Sequence, residues 1–137
     1  ILSPKGGALQ KMVPPFKMGL GGMIGSGKQF ISWISIDDLV NIVEFIVQTE
    51  SISGPVNVVS PTQVTNRQLT KSLGKALKRP TLFTVPTAVA RLVFGQMADE
   101  MLLTSARARP KVLIDSGYEF VDLSLDEVLR RYTDNIE

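Results

Sequence analysis

The chain opens Ile1-Leu2-Ser3-Pro4-Lys5-Gly6-Gly7-Ala8-Leu9-Gln10-Lys11-Met12 and continues Val13-Pro14-Pro15-Phe16-Lys17-Met18-Gly19. Ile1-Leu2 reads as the end of a strand. After Gly6 the spacing changes. Leu9, Met12, Val13 and Phe16 recur at intervals of three and four, which puts them on one side of a helix. The span from Gly6 to Gly19 is therefore read as helical. Proline lacks a backbone donor and clashes with the preceding turn, so Pro14-Pro15 predicts a kink or two short helices.

The pattern of strand followed by helix continues outward from there. Gly19 to Gly27 is a glycine-rich loop with a short strand at Met23-Ile24, and Gln29 to Ile34 reads as a strand. Ser35 is placed to cap a helix from about Asp37 to Thr49, with Asp38 as the capping-box acid. Seven apolar residues between Leu39 and Val47 make that helix apolar nearly all round, so deep burial is expected. Val56 to Ser60 is read as a strand after the Gly54-Pro55 turn. Thr65 and Gln68 form a second capping box, opening a helix to about Lys78. On it Leu69, Leu73, Ala76 and Leu77 face inward and Arg67, Lys71, Lys75 and Lys78 outward. Leu82 to Val85 is a short strand. Helices follow at Thr87 to Phe94, ended by Gly95, at Met97 to Leu103, and from Pro110 to Asp115, closed by Gly117. Tyr118 to Val121 is a brief strand, and Ser124 with Glu127 caps a last helix to Thr133. Strands alternating with helices indicate the α/β class.

Composition narrows the chemistry. The 137 residues suffice for a domain with a core, 44% of them are hydrophobic, and no apolar run is long enough to span a membrane. There is no Cys and no His. Disulfides, thiolate chemistry and the commonest metal ligands and general bases are absent from this stretch, and no metal site is expected. The lack of Cys fits a reducing compartment, and a cytoplasmic location is expected. The net charge is only +2, but it is unevenly distributed. Residues 1–36 carry four Lys and no acid, residues 51–98 carry six Lys or Arg and no acid, and seven acids lie from Asp115 onward. The basic stretches suggest a side that faces anions.

Several motifs invite a sharper reading. Gly22-Met-Ile-Gly-Ser-Gly27-Lys28 has the spacing of a phosphate-cradling loop. However, Gln29 stands where Ser or Thr is needed, and a strand follows where the mechanism needs a helix N-terminus. The basic stripe at Arg67, Lys71, Lys75 and Lys78 lacks interleaved aromatics, so a solvated helix face is preferred to a nucleic-acid site. Asp37 and Asp38 are neighbours on a helix and point apart, which favours capping over catalysis. Trp33 is read as core by default. Arg107 and Arg109 flank Ala108, and their forks suit phosphate or carboxylate.

Taken together, several strings resemble one family. They are Leu2-Ser-Pro-Lys-Gly-Gly-Ala-Leu-Gln-Lys-Met12, Pro14-Pro-Phe-Lys-Met-Gly-Leu-Gly-Gly22, Gly25-Ser-Gly-Lys-Gln29, Ser32-Trp-Ile-Ser-Ile-Asp-Asp-Leu-Val40, Gly54-Pro-Val-Asn57, Asn66-Arg-Gln-Leu69, Leu73-Gly-Lys-Ala-Leu77, Pro86, Gly95-Gln-Met-Ala98 and Pro110-Lys-Val-Leu113 with Gly117-Tyr. The chain resembles the atypical extended short-chain dehydrogenase/reductases of the NAD-dependent epimerase/dehydratase-like type. Some of these are labelled nucleoside-diphosphate-sugar epimerase or cell division inhibitor. The resemblance covers essentially the whole chain and corresponds to the C-terminal half of such a protein.

The resemblance implies the substrate-binding half of an extended, Rossmann-like fold. Residues 1–50 would supply the final sheet segments and pocket loop, and residues 51–137 a small C-terminal α/β lobe. It implies NAD or NADP in the complete protein, with Ile1, Leu2 and Ser3 beside the nicotinamide. Lys5, Met12, Phe16 and Trp33 would border the substrate, and Arg107 would hold its anionic part. The cofactor fingerprint and the catalytic residues would belong to a missing N-terminal half. A natural chain does not begin at Ile, which agrees with that expectation. Two departures stand out. Ser35 replaces the His of many relatives. No Tyr-x-x-x-Lys pair occurs, since Tyr118 is followed at that offset by Asp122 and Tyr132 by Ile136.

Two functions follow as expectations. The first is the substrate-binding portion of an NAD(P)-dependent oxidoreductase or nucleotide-sugar epimerase-like protein. It would act on a small, anionic or nucleotide-linked molecule and be inactive without its cofactor half. The second is a non-enzymatic binding or regulatory module with a basic face. The isolated stretch is also expected to expose apolar surface and to self-associate through it.

Overall fold

The computed structural model describes residues 1–96, 98–99, 105–134 and 136. A two-residue strand, β1 (Leu2–Ser3), leads through a glycine turn into α1 (Gly7–Lys17). The backbone N–H of Leu2 donates to the carbonyl of Ile34 at 2.8 Å, so this first strand lies beside the segment entering the second helix. Leu9, Met12, Val13 and Phe16 are buried, as their spacing predicts.

α1 is one uninterrupted helix through Pro14 and Pro15, not two. The missing donors would have served the carbonyls of Gln10 and Lys11, both exposed residues. Water can satisfy those carbonyls, so the prolines cost the helix less there than in a buried interior. The carbonyls of Pro14 and Pro15 still accept from Met18 and Leu20.

The loop carries β2 (Gly22–Ile24), and β3 (Phe30–Ile31) follows. Trp33 and Ile34 lie beyond the end of β3, which is shorter than the alternation suggested. Ser35 caps α2 (Ile36–Gln48), its hydroxyl accepting from the N–H of Asp38 at 3.0 Å. Such a cap contributes about 0.5–2 kcal/mol. Asp38 is not a capping-box acid, because its carboxylate points to a distant part of the chain, as described below. Nor is α2 buried all round. Ile42 packs inward, with Leu39, Phe45 and Ile46 partly covered, but Val40, Val43 and Val47 are 58%, 53% and 78% exposed.

β4 (Val64–Thr65) pairs antiparallel with β3, and α3 (Asn66–Ala76) starts with the predicted Thr65–Gln68 capping box. β5 (Phe83–Val85) pairs parallel with β2, matching Gly22 to Phe83 and Ile24 to Val85. α4 (Thr87–Phe94) ends at Gly95, α5 (Lys111–Asp115) is followed by Gly117 at φ 81°, and α6 (Leu125–Thr133) is capped by Ser124. The helix expected over Met97 to Leu103 falls mostly outside the described residues.

Val56 to Ser60 and Tyr118 to Val121 are not strands. Both pack apolar side chains inward (Val56, Val58, Tyr118, Phe120) against Ile34, Ile42 and Leu113, but they join no ladder among the described residues. The largest core joins Leu2, the inner face of α1, Trp33, Val64, Leu69 and Leu73 of α3, and Leu125, Val128, Leu129 and Tyr132 of α6. Ile24, Ala90 and Ala98 form a smaller cluster under β5 and α4. The fold is the α/β type that the alternation of elements indicates.

Candidate functional site

Among the concave regions beside the short sheets, two are lined by residues the sequence singled out. The first lies between α1, β2, α3, β5 and α4. Met12 and Phe16 reach it from α1, Ile24 from β2, Val85 from β5, and Val89, Val93 and Phe94 from α4, enclosing about 160 Å³. Glycine makes the close approach of α1 and β2 possible. A Cβ on Gly21 would sit 2.5 Å from the Phe16 ring, and one on Gly22 would sit 2.0 Å from the carbonyl oxygen of Phe83. Asn66, 1% exposed, is also at this wall, and its Oδ1 accepts from the N–H of Ile24 at 2.7 Å. The bond ties the start of α3 to β2.

The second region lies on the other side of β3. The segment 105–109 runs alongside that strand. Ala106 N–H donates to the Phe30 carbonyl at 3.2 Å, Phe30 N–H to Ser105 Oγ at 3.1 Å, and Ser32 Oγ to the Ala106 carbonyl at 2.9 Å. Arg107 is thereby laid over the Phe30 ring, its guanidinium carbon 4.6 Å from the centroid, and its Nε donates to Gln63 Oε1 at 2.6 Å. Gln63 Nε2 in turn donates to the Ala108 carbonyl at 2.7 Å. An open hollow of about 400 Å³ is lined by Pro61, Gln63, Arg107, Arg109, Pro110 and Ile114, with no acidic side chain among the described residues. Among the described residues neither arginine takes part in a salt bridge. A planar guanidinium held by stacking and one neutral partner is well prepared to receive an anion.

The remaining expected site residues lie elsewhere. Ile1 is exposed, Leu2 is buried, and Ser3 Oγ accepts from the N–H of the exposed Lys5 at 3.2 Å. Trp33 is 3% exposed. Its Nε1 donates to the Thr62 carbonyl at 2.7 Å, and its own carbonyl accepts from Ser60 at 2.7 Å. Leu2, Met12, Phe16 and Trp33 meet in one core. Arg107 does not join them, since it stands with Phe30 and Gln63. Sequence reasoning missed Phe30 and Gln63 as the supports of Arg107. It also missed the whole far wall of the apolar pocket, which depends on β2 and β5 pairing across some sixty residues.

Asp37, Asp38 and Asp122 form a latch between α2, the loop before α6 and α6 itself. Asp38 accepts from Tyr118 Oη at 2.9 Å and from the N–H groups of Val121 and Asp122 at 3.0 and 2.9 Å. Asp37 Oδ2 accepts from Tyr132 Oη at 2.7 Å and from Arg131 at 3.0 Å. Arg131 also donates to Asp122 at 2.8 Å. Burial raises the Tyr118 phenol well above its usual range, and the Asp38 carboxylate adds to this. Burial pushes the Asp122 carboxyl up, but bonds from Arg131 and Ser35 outweigh it and hold it below the usual carboxylate range. Among the described residues no group of three or more His, Cys, Asp or Glu is disposed to hold a metal ion. Nor is any helix long and apolar enough to cross a membrane. The basic face of α3 is exposed, and its Lys75 pairs with Asp126 at 3.1 Å.

A family model described as a domain of unknown function (DUF1731) matches residues 85–132. Epimerase family protein MT2273 of Mycobacterium tuberculosis is 43% identical over 129 residues, covering 94% of this chain and 43% of that protein. The crystal structure of human epimerase family protein SDR39U1 (isoform 2) with NADPH superposes with a TM-score of 0.89 at 36% identity. It covers 98% of this chain and 46% of that one. A nucleoside-diphosphate sugar epimerase from Corynebacterium glutamicum gives a TM-score of 0.65 at 30% identity, over 93% of this chain and 23% of that one. The chain thus spans less than half the length of the relatives it matches. In sequence and in fold, this chain matches the C-terminal portion of epimerase family proteins, as its motifs indicated.

Proposed function

We propose that this chain is the substrate-side portion of an NAD(P)-dependent oxidoreductase or epimerase-like protein. The observation that carries the reading is the fit to the human relative solved with NADPH, in which this chain accounts for 46% of the length. The glycine loop supports it from the other side. Gly22 to Gly27 leads into β3, so it offers no helix N-terminus to a pyrophosphate. The dinucleotide would therefore be held by a preceding half. Ile1, Leu2 and Ser3 would contribute only contact surface beside it, since they bring no charge.

When bound, the cofactor supplies hydride transfer at a carbinol or carbonyl carbon. This chain's residues orient the substrate. Residues 1–50 would supply the final sheet segments and pocket loop, and residues 51–137 a small C-terminal α/β lobe. Met12 and Phe16 wall one side, and Trp33 braces the core behind them. Arg107, stacked on Phe30, holds an anionic group of the substrate, with Lys5 at the exposed turn as a second cation. No catalytic proton-transfer group is assigned here, because Asp37, Asp38, Tyr118 and Tyr132 bond to one another or to backbone. Val40, Val43 and Val47 on α2 would face the preceding half.

Titrating NADPH and NADH against the product of the full reading frame, followed by cofactor fluorescence, tests the proposal. Binding of at least one is expected, and this chain alone is expected to bind neither and to be inactive. A full-length product that binds neither cofactor overturns the reading.

A further inference from the structure

We infer that the pocket between α1, β2, β5 and α4 is a binding site for a small apolar group, about the size of a benzene ring or a branched alkyl end. Naming that group as part of the substrate rests on the proposed function. The binding itself does not.

Four observations carry the inference. The first is chemical. Among the described residues no charged side chain lines the pocket, and the polar ones that do are Asn66 and Thr70, 1% and 3% exposed. The Asn66 oxygen is already engaged by the N–H of Ile24. A hydroxyl or ring nitrogen entering here would lose its water and meet at most the Asn66 amide nitrogen and the Thr70 hydroxyl in exchange. The second is size. The volume of about 160 Å³ is close to that of an engineered apolar cavity known to take up benzene, about 150 Å³. The third is construction. Gly21 leaves room for the Phe16 ring where a Cβ would collide at 2.5 Å, so the wall is shaped by the absence of a side chain. The fourth is the mouth. Leu20, Val89 and Val93 stand there with large exposed fractions, 61%, 45% and 59%. Apolar side chains at a pocket entrance favour an apolar guest over a hydrated one.

A sugar ring or nucleobase is therefore the wrong occupant for this pocket. With Arg107 and Arg109 in a separate hollow, the chain is suited to a molecule carrying an apolar end and an anionic group, each recognised by its own region.

Methyl-resolved NMR of this chain with toluene as the probe, and methyl glucoside as the polar control, decides the matter. Toluene is expected to shift the methyl signals of Ile24, Val85 and Val89 saturably, and methyl glucoside to shift none. Val89→Trp, which fills the mouth, should weaken toluene binding by about tenfold or more, a loss corresponding to about 1.4 kcal/mol. Val93→Asp, which puts a carboxylate at the entrance, should do the same and serves if the first variant folds poorly. The inference is overturned if toluene leaves those methyls unmoved. It also fails if they move no more than Val43 and Val47 on α2, or if methyl glucoside competes equally well. Shifts at the same methyls that depend on protein concentration without toluene would assign the pocket to a second copy and overturn it as well. Failure of the full-length product to bind NADPH would leave the toluene result intact, so the two readings fail separately.

Discussion

Asp38, in the first turn of α2, accepts a hydrogen bond at 2.9 Å from the backbone N–H of Asp122, 84 residues further along the chain. The same carboxylate holds Val121 N–H and Tyr118 Oη, so one buried side chain fixes the loop between α5 and α6 against α2. Replacing Asp38 by Ala would strand three donors, two of them backbone groups. A loss of about 2–4 kcal/mol is expected. Asp38→Asn keeps one acceptor oxygen and should cost less. Urea unfolding of the two variants checks the order, and equal losses would show that one remaining acceptor oxygen preserves nothing of the contact.

Arg131 and Asp122 give the fold an acid-sensitive edge. The folded carboxyl of Asp122 lies below its usual value, despite burial, because of Arg131 and Ser35. A lowered folded value means stability that is present above the unfolded value of about 3.9 and lost as pH falls through the folded one. Arg131→Gln should flatten that acid limb and lower stability at neutral pH by about 1–2 kcal/mol, limited because Arg131 is half exposed. Thermal melts from pH 7 to 2 measure both, and an unchanged acid limb would count against the assignment. At the alkaline end the raised Tyr118 contributes in the opposite sense. Its stabilisation is complete below its unfolded value of about 10 and is lost as pH rises beyond it.

Gly22 is required by the parallel pairing of β2 with β5. A Cβ there would stand 2.0 Å from the Phe83 carbonyl oxygen, a backbone atom that cannot rotate away. Gly22→Ala should cost about 2–3 kcal/mol and loosen β5. Amide exchange at Thr84 and Val85 reads this directly, and protection equal to wild type would contradict it.

Asn66→Ala removes the acceptor for the Ile24 N–H inside a buried wall. A cost of about 1–3 kcal/mol is expected, with faster exchange of the Ile24 amide. Asn66→Asp, which keeps the acceptor, should retain that amide's protection.

The exposed valines of α2 predict self-association of this chain when studied alone. Val43→Lys combined with Val47→Glu should shift it toward monomer in sedimentation, with little effect on stability because both sites are solvent-facing. A wild-type chain that stays monomeric at high concentration would remove the idea.

Much of the local structure is legible in the residues. The face of α1, the Ser35, Thr65 and Ser124 caps, the end of α4 at Gly95 and the turn at Gly117 follow from short-range spacing and backbone preferences. Two misreadings have one cause. Val56 to Ser60 and Tyr118 to Val121 carry strand-like residues and cover apolar side chains, yet a strand also needs a partner ladder, and composition does not specify one. The exposed valines of α2 have a related cause. An all-round apolar helix asks for cover on every side, but the covering element is a property of the surrounding fold.

The site divides in the same way. The sequence by itself determined that Met12 and Phe16 share an inward face, that Arg107 carries an anion-ready fork, and that no His, Cys or cofactor-cradling turn is available in this chain. Only the tertiary structure decided that Phe30 and Gln63 hold Arg107 in place. It likewise decided that Asp38 is a latch and not a cap, and that β5 and α4 close an apolar pocket against α1. The physical reason is range. Helical faces and caps depend on residues three or four apart, whereas these relationships join segments dozens of residues distant through pairing and packing that no local spacing encodes.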